Sequence, residues 1–220
     1  MKRFTSSMAA FITLMCVFML APRPGRSDEA KGAMMMMPKA GPEAKALAPV
    51  FGIDAAWTGN VEAGAMGPDS QEMTSHGTAT GHAILGGMWY TCDVVDTYGA
   101  SKDAMTWKGH MLVGYDMAAK AYRASCVDNM GALMMFNGTM EGDKFVLETP
   151  TEVMMMGQMM KDRLTWDMSD PKAVKFTDEH QSGGGDWKLV ESATMRTMVK
   201  GQTKPTSAEK TNAGTTKPKS

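Results

Sequence analysis

Four histidines, three cysteines and 26 methionines are the side chains of this 220-residue chain with the most chemical potential. Spacing alone does not gather the histidines around an ion. His76 and His82 share the face of one extended segment, but six residues at ~3.3 Å each place them about 20 Å apart, too far to chelate one metal. His110 and His180 fall on other segments, so no metal site is assigned from histidine spacing. A single histidine would still suffice as the axial ligand of a haem. Twenty-two methionines follow residue 27, clustered at Met34–Met37, Met134-Met135, Met154–Met156 and Met159-Met160. Thioethers are soft ligands suited to Cu(I), which makes a copper-binding protein the alternative reading. In an extended strand, however, successive side chains point to opposite faces, so a run of adjacent methionines cannot aim all its sulfurs at one ion. The favoured reading is that methionine serves as flexible apolar lining. Motifs for catalysis are lacking: there is no Gly-x-Ser-x-Gly elbow, no His-Glu-x-x-His, no glycine-rich phosphate loop and no cysteine beside a histidine. Adjacent acids such as Asp178-Glu179 would lie on opposite faces of a strand. The chain is therefore read as non-enzymatic, with no catalytic residues and no cofactor.

The elements that must carry these residues are strands. From Val50 the chain is broken every eight to twelve residues by Gly, Asp or Asn clusters, the rhythm of antiparallel strands joined by short turns. Ten strands are expected near Ala56–Ala63, Glu72–Leu85, Met88–Asp96, Met105–Tyr115, Ala121–Val127, Leu133–Met140, Lys144–Thr149, Met160–Met168, Ala173–His180 and Trp187–Met198. The second shows the alternation plainly. Thr74, His76, Thr78, Thr80 and His82 share one face, with Ser75, Gly77, Ala79, Gly81 and Ala83 on the other. Glu141-Gly142-Asp143-Lys144, Gly157-Gln158 and Gly183-Gly184-Gly185-Asp186 read as turns, and only Pro42–Leu47 suggests a short helix. So many strands must hide their edges. Closing into an up-and-down barrel does that, and a barrel of more than eight strands leaves an interior its own side chains do not fill.

Charge divides the chain into three. Residues 1–27 hold four basic residues and no acid, and residues 200–220 hold five lysines against one glutamate; with -1 on the whole, -9 remains on residues 28–199. An acidic domain is the wrong sign for a phosphate backbone, so nucleic acid is excluded as a partner. Lys2 and Arg3 precede a thirteen-residue apolar run, Met8 to Leu20, and Gly25-Arg26-Ser27 offers small residues at a cleavage site before Asp28. That is the pattern of a signal peptide rather than a retained anchor. Cys16 sits inside the run after Leu14-Met15, unlike a lipidation site. The expected location is periplasmic or secreted, with no membrane span once the signal is removed. The expected organisation is a signal peptide at 1–27, a linker at 28–46, a barrel at 47–198 and a disordered Lys/Thr/Pro/Ser-rich tail at 199–220. Export makes a Cys92–Cys126 disulfide the default. The strand order argues against it, since one strand intervenes and the separation is then about 9–10 Å, beyond the reach of roughly 7 Å.

An ordered series of short motifs carries a resemblance. Met37-Pro38-Lys39-Ala40-Gly41-Pro42-Glu43, Leu47, Phe51-Gly52 and Trp57-Thr58-Gly59 come first. Gly77-Thr78-Ala79, Leu85-Gly86-Gly87, Gly114-Tyr115-Asp116, Lys120, Tyr122 and Asp128-Asn129-Met130-Gly131 follow, then Gly138, Gly142, Arg163 and Arg196. Over residues 37–198 the chain resembles the bacterial family known as domain of unknown function 1579. Before Trp57, Ile53-Asp54-Ala55-Ala56 departs from that family's glycine-containing approach. The family is similar to the calycin-like barrels, among them lipocalins, fatty-acid-binding proteins and nitrobindin-like haem proteins. The resemblance implies a barrel with room for a ligand and no particular reaction.

The expectations are these. The fold is all-β, a single antiparallel up-and-down barrel of about ten strands. A small apolar or amphipathic molecule would lie in a cavity lined by Trp89, Tyr90, Trp107, Tyr115, Tyr122 and clustered methionines. Trp57 in the first strand and Arg196 in the last would close the barrel by stacking guanidinium on indole. The remaining alternative is a structural or stress-related envelope protein whose barrel is filled.

Overall fold

The structure is a computed structural model that describes residues 39–101, 104–155 and 157–198. Two helical turns, α1 (Pro42–Lys45) and α2 (Ala48–Phe51), precede eleven strands. These are β1 (Asp54–Val61), β2 (Met73–Ile84), β3 (Trp89–Tyr98), β4 (Met105–Asp116), β5 (Ala121–Asp128) and β6 (Leu133–Glu141), then β7 (Lys144–Glu148), β8 (Val153–Met155), β9 (Gln158–Asp167), β10 (Val174–Gln181) and β11 (Lys188–Thr197). Each strand pairs antiparallel with the next, except that β7 pairs with β9 and β8 only forms a hairpin arm on β9. β10 bonds to both β9 and β11, and β11 bonds to β1. The ring of ten is closed. It is the all-β up-and-down barrel expected from the turn spacing, and the short β8, outside the ten expected strands, is the arm that precedes the expected Gly157-Gln158 turn.

The inward face follows the alternation. In β2, Ser75, Gly77, Ala79 and Gly81 are buried while Thr74, His76, Thr80 and His82 are exposed. Small inward residues on this strand leave space for two large groups from elsewhere. One is the indole of Trp57, whose ring would lie 2.0 Å from a Cβ placed on Gly77. The other is the end of α2: Gly81 N–H donates to Ile53 O at 3.0 Å, and the Phe51 carbonyl lies where a Gly81 Cβ would fall.

That contact seats a plug in one end of the barrel. Leu47, Val50 and Phe51 are almost wholly buried. Phe51 meets Phe145 and Trp166 edge-on with centroids 5.8 and 5.1 Å apart. Tyr122 joins the cluster against Phe145 at 5.3 Å, and its hydroxyl donates to the Glu43 carbonyl at 3.2 Å. Each such aromatic pair contributes about 0.5–1.5 kcal/mol beyond the area it buries. Residues 39–46 are thus part of the folded unit rather than a linker, because Ala44 is buried and α1 is tied to the aromatic floor. The expected signal peptide at 1–27, the rest of the linker and the tail from 199 lie outside the described residues.

Candidate functional site

The opposite end of the barrel is hollow. A cavity of about 390 Å³ runs from the Phe51–Trp166 floor to a mouth formed where β3, β5 and β10 end and β4, β6 and β9 begin. Its apolar wall includes Trp57, Val94, Trp107, Leu164 and Phe176. Methionines crowd it too: Met66, Met105, Met130, Met134, Met154 and Met155 reach it near the rim, with Met111 and Met195 deeper on the wall. The expected alternation is seen in two methionine runs, since Met134 lines the cavity and Met135 is exposed, and Met159 is exposed while Met160 is buried; it fails at the rim, where the adjacent Met154 and Met155 both reach the cavity. Met34–Met37 and Met156 lie outside the described residues.

Of the five aromatics expected around a ligand, only Trp107 lines the cavity. Trp89 is on the wrong face: in β3 the inward positions are Tyr90, Cys92, Val94, Asp96 and Tyr98, and the Trp89 ring instead covers Gly114 on the neighbouring strand. Tyr90 and Tyr122 do point inward, but at the plugged end, where α2 and the Phe145 ring take the space. Tyr115 packs edge-on to Tyr122 at 5.1 Å in the same filled region. The Trp57–Arg196 closure is also corrected. First and last strands are neighbours, but Trp57 stands opposite Met195 and lines the cavity, while Arg196 stands opposite Ala56 and is exposed. A one-residue offset in register puts the two side chains on opposite faces.

The polar side of the cavity was not foreseen. Asp96, Asp128, Asp162, Asp178 and Glu191 line it, with His180 and, among the described residues, no lysine or arginine. Asp96, Asp162 and Glu191 are each 4% exposed. Two of these acids are engaged by indoles. Trp57 Nε1 donates to Asp96 Oδ2 at 3.2 Å, and Trp107 Nε1 donates to Asp128 Oδ2 at 3.1 Å. Asp128 Oδ1 also accepts from the amides of Met130 and Ala132, and Asn129 bridges to Lys108 N and Thr106 O. The Asp128-Asn129-Met130-Gly131 motif is therefore the turn that fixes the rim and holds Trp107. Ser75 of β2 donates to Glu191 of β11 over Gly59 of β1, the strand between them.

Glu191 continues the inward alternation of β11 set by Met195 and Ala193, and a β-bulge adjoins it. Asp178 pairs with Glu191 and the adjacent Glu179 with Leu189, so Val190 is the extra residue of β11. The bulge lets two consecutive side chains, Val190 and Glu191, line the cavity, a re-aiming that bulges supply beside sites. On β10, Asp178 and His180 are two residues apart and share the inner face, and His180 stands opposite Asp162 of β9. One ligand atom from each of these three lies within 4.8 Å of the others. Burial raises Asp162 to about 6 and Glu191 to about 8, and raises Asp96 and Asp178 above the ordinary carboxylate range. Desolvation is the leading cause in each, with repulsion between the acids adding to it for Glu191 and Asp178. A signal for these groups exists in the sequence: single acids at inward positions of apolar strands, as in Met160-x-Asp162-x-Leu164-x-Trp166 and Phe176-x-Asp178-x-His180.

The model of the family described as "Protein of unknown function (DUF1579)" matches residues 39–197. The chain belongs to the DUF1579 family. The match covers the plug and the whole barrel as one unit. No curated protein matches the DUF1579 chain. Among solved structures, that of Rv2717c from M. tuberculosis is similar, at 12% identity and a TM-score of 0.47, over 73% of this chain and 100% of that one.

Proposed function

We propose that this DUF1579 protein is an exported, non-enzymatic binding protein that holds one small amphipathic molecule inside its barrel. Export rests on the basic start and apolar run of residues 2–20. The observation that carries the binding reading is the 390 Å³ cavity beyond the aromatic floor. Its volume is within the range of small-molecule sites, and its lining has the usual composition, mostly apolar with a few convergent polar groups. The apolar part of the ligand would lie against Trp57, Trp107, Leu164 and the methionines, whose unbranched side chains adapt to varied shapes. Its polar end would face the acids, so a basic or hydrogen-bond-donating group fits and an anionic one is repelled.

The neutral dye N-phenyl-1-naphthylamine tests this. Saturable fluorescence enhancement with one dye per chain is expected, and Val94→Phe, which fills the hollow, should abolish it while leaving the melting temperature close to wild type. Absence of saturable binding, or equal binding by a folded Val94→Phe variant, would refute the reading. Native mass spectrometry of protein recovered from its host should show the added mass of the natural ligand.

A further inference from the structure

We propose that Asp162, Asp178 and His180 form a binding site for one divalent metal ion of the zinc class on the wall of the cavity. The placement comes from the fold: Asp162 and His180 are a directly opposed pair on β9 and β10, and Asp178 precedes His180 by two residues on the same inner face. Their ligand atoms all lie within 4.8 Å of one another, so a modest closing of rotamers brings them onto an ion with bonds of about 2.0–2.2 Å.

The side chains are ones that await a cation. Asp162 is 96% buried, since only 4% of it is exposed, and its Oδ1 faces the cavity wall without a hydrogen-bond donor. Asp178 Oδ1 is paired only loosely, with His180 Nε2 at 3.5 Å, and the Asp178 carboxyl shares a hydrogen bond with that of Asp162, through a proton that a bound cation would displace. Buried carboxylates normally find a basic side chain or several amide donors. Among the described residues the cavity lining offers neither lysine nor arginine, and two further acids, Asp96 and Glu191, add negative potential. A divalent ion would neutralise the pair, give Asp162 Oδ1 a partner and replace the long contact between Asp178 Oδ1 and His180.

The donor set selects the class of ion. Two carboxylates and one imidazole suit Zn(II) and neighbouring first-row ions better than Mg(II), which prefers an all-oxygen shell, or Cu(I), which prefers thiolate and thioether. Three protein ligands leave a coordination position open toward the cavity, as in zinc sites that admit an exogenous ligand. Asp162 is in turn held by Thr149, whose hydroxyl accepts from the Asp162 amide at 3.0 Å and whose own amide donates to the Asp162 carbonyl at 3.0 Å. That bracing fixes the backbone of one ligand. The site stands whether or not an organic molecule occupies the apolar part of the cavity.

The test is calorimetric titration of ZnCl2 into the metal-free full chain, purified without a polyhistidine tag. One ion per chain is expected, with Asp162→Asn and His180→Ala each weakening binding at least tenfold. His110→Ala, at the exposed histidine beside Asp93, should leave it unchanged. Zn(II) at a hundredfold excess over its Kd should also raise the wild-type Tm by about 5 °C or more over the chelated protein. That shift decides the matter even if a variant fails to fold. Binding that survives Asp162→Asn and His180→Ala, or no Tm shift with saturating zinc, overturns the proposal. Dye binding by protein that ignores zinc would leave the ligand reading standing and this one refuted.

Discussion

Trp57 and Asp96 are joined across the barrel interior, the indole N–H donating to the carboxylate at 3.2 Å from one strand beyond its neighbour. The bond is possible because the strand between them, β2, presents Gly77 beneath the ring. A methyl group there would meet the indole at 2.0 Å, and the ring would have to leave. Gly77→Ala should therefore destabilise the fold by about 1–3 kcal/mol, the usual cost of overpacking. It should also shift the tryptophan emission, as Trp57 loses Asp96. Denaturant melts give the first quantity and fluorescence the second. An unchanged melt would mean that Trp57 does not rest on this glycine.

Two arginines near the end of the chain should behave differently. Arg163 donates to Glu179 on the neighbouring strand, Nε at 3.0 Å and NH2 at 2.9 Å, and its guanidinium lies 4.1 Å from the Trp187 ring centroid. Arg196 is exposed on the outer face, opposite Ala56. Arg163→Ala is expected to cost about 1–2 kcal/mol through loss of the paired carboxylate and the cation–π contact, and Arg196→Ala less than about 0.5 kcal/mol. Thermal melts of the two variants check the ordering, and a larger loss for Arg196 would restore the closure expected from sequence.

The contrast also shows what the sequence carries. Strand positions were legible because glycine and Asx turns punctuate alternating runs, and β2 displays its two faces residue by residue. Closure followed from edge avoidance. What sequence did not yield was depth along the barrel. Tyr90, Tyr115 and Tyr122 are inward residues as an apolar-lining rule demands, yet they lie at the end that α2 fills. Whether an inward aromatic meets a ligand or a plug depends on a contact between Phe51 and Gly81, thirty residues apart. Val190 was hidden for a different reason, because the bulge there breaks the alternation and turns it inward beside Glu191. His180 and Asp162 needed the β9–β10 register, which no local pattern specifies.

Stability should fall as pH rises from about 5 to 8. Glu191 is raised to about 8 by burial and by the charges of Asp96 and Asp178, with the Ser75 hydroxyl opposing the rise. In the unfolded chain it titrates near 4.5. Between those values the native state holds a proton that the unfolded state has released, so stability decreases with rising pH through this window. Each kcal/mol lost lowers the Tm by roughly 2–4 °C in a domain of this size. Melts of chelator-treated protein at pH 5, 6.5 and 8 should show the decline, and Glu191→Gln should lessen it while keeping an acceptor for Ser75, the remainder coming from Asp162 and Asp178, which burial also raises. A Tm that climbs over this range would contradict the burial of an uncompensated carboxylate.

Cys92 and Cys126 flank Met111 in one row across β3, β4 and β5, so two strand spacings separate them. At ~4.8 Å per spacing they are about 9–10 Å apart, past the roughly 7 Å limit for a disulfide. Both are buried free thiols, and desolvation pushes each up to about 12. The thiolate is the reactive species, so at pH 8 the native protein should resist iodoacetamide at both positions, whatever the compartment it was purified from. Peptide mapping should find Cys92 and Cys126 unlabelled in native protein and fully labelled after guanidinium unfolding without reductant. Rapid native labelling would mean the row is open to solvent. A Cys92–Cys126 cross-link in unreduced protein would mean that β4 does not lie between them, and the strand order itself would have to be redrawn.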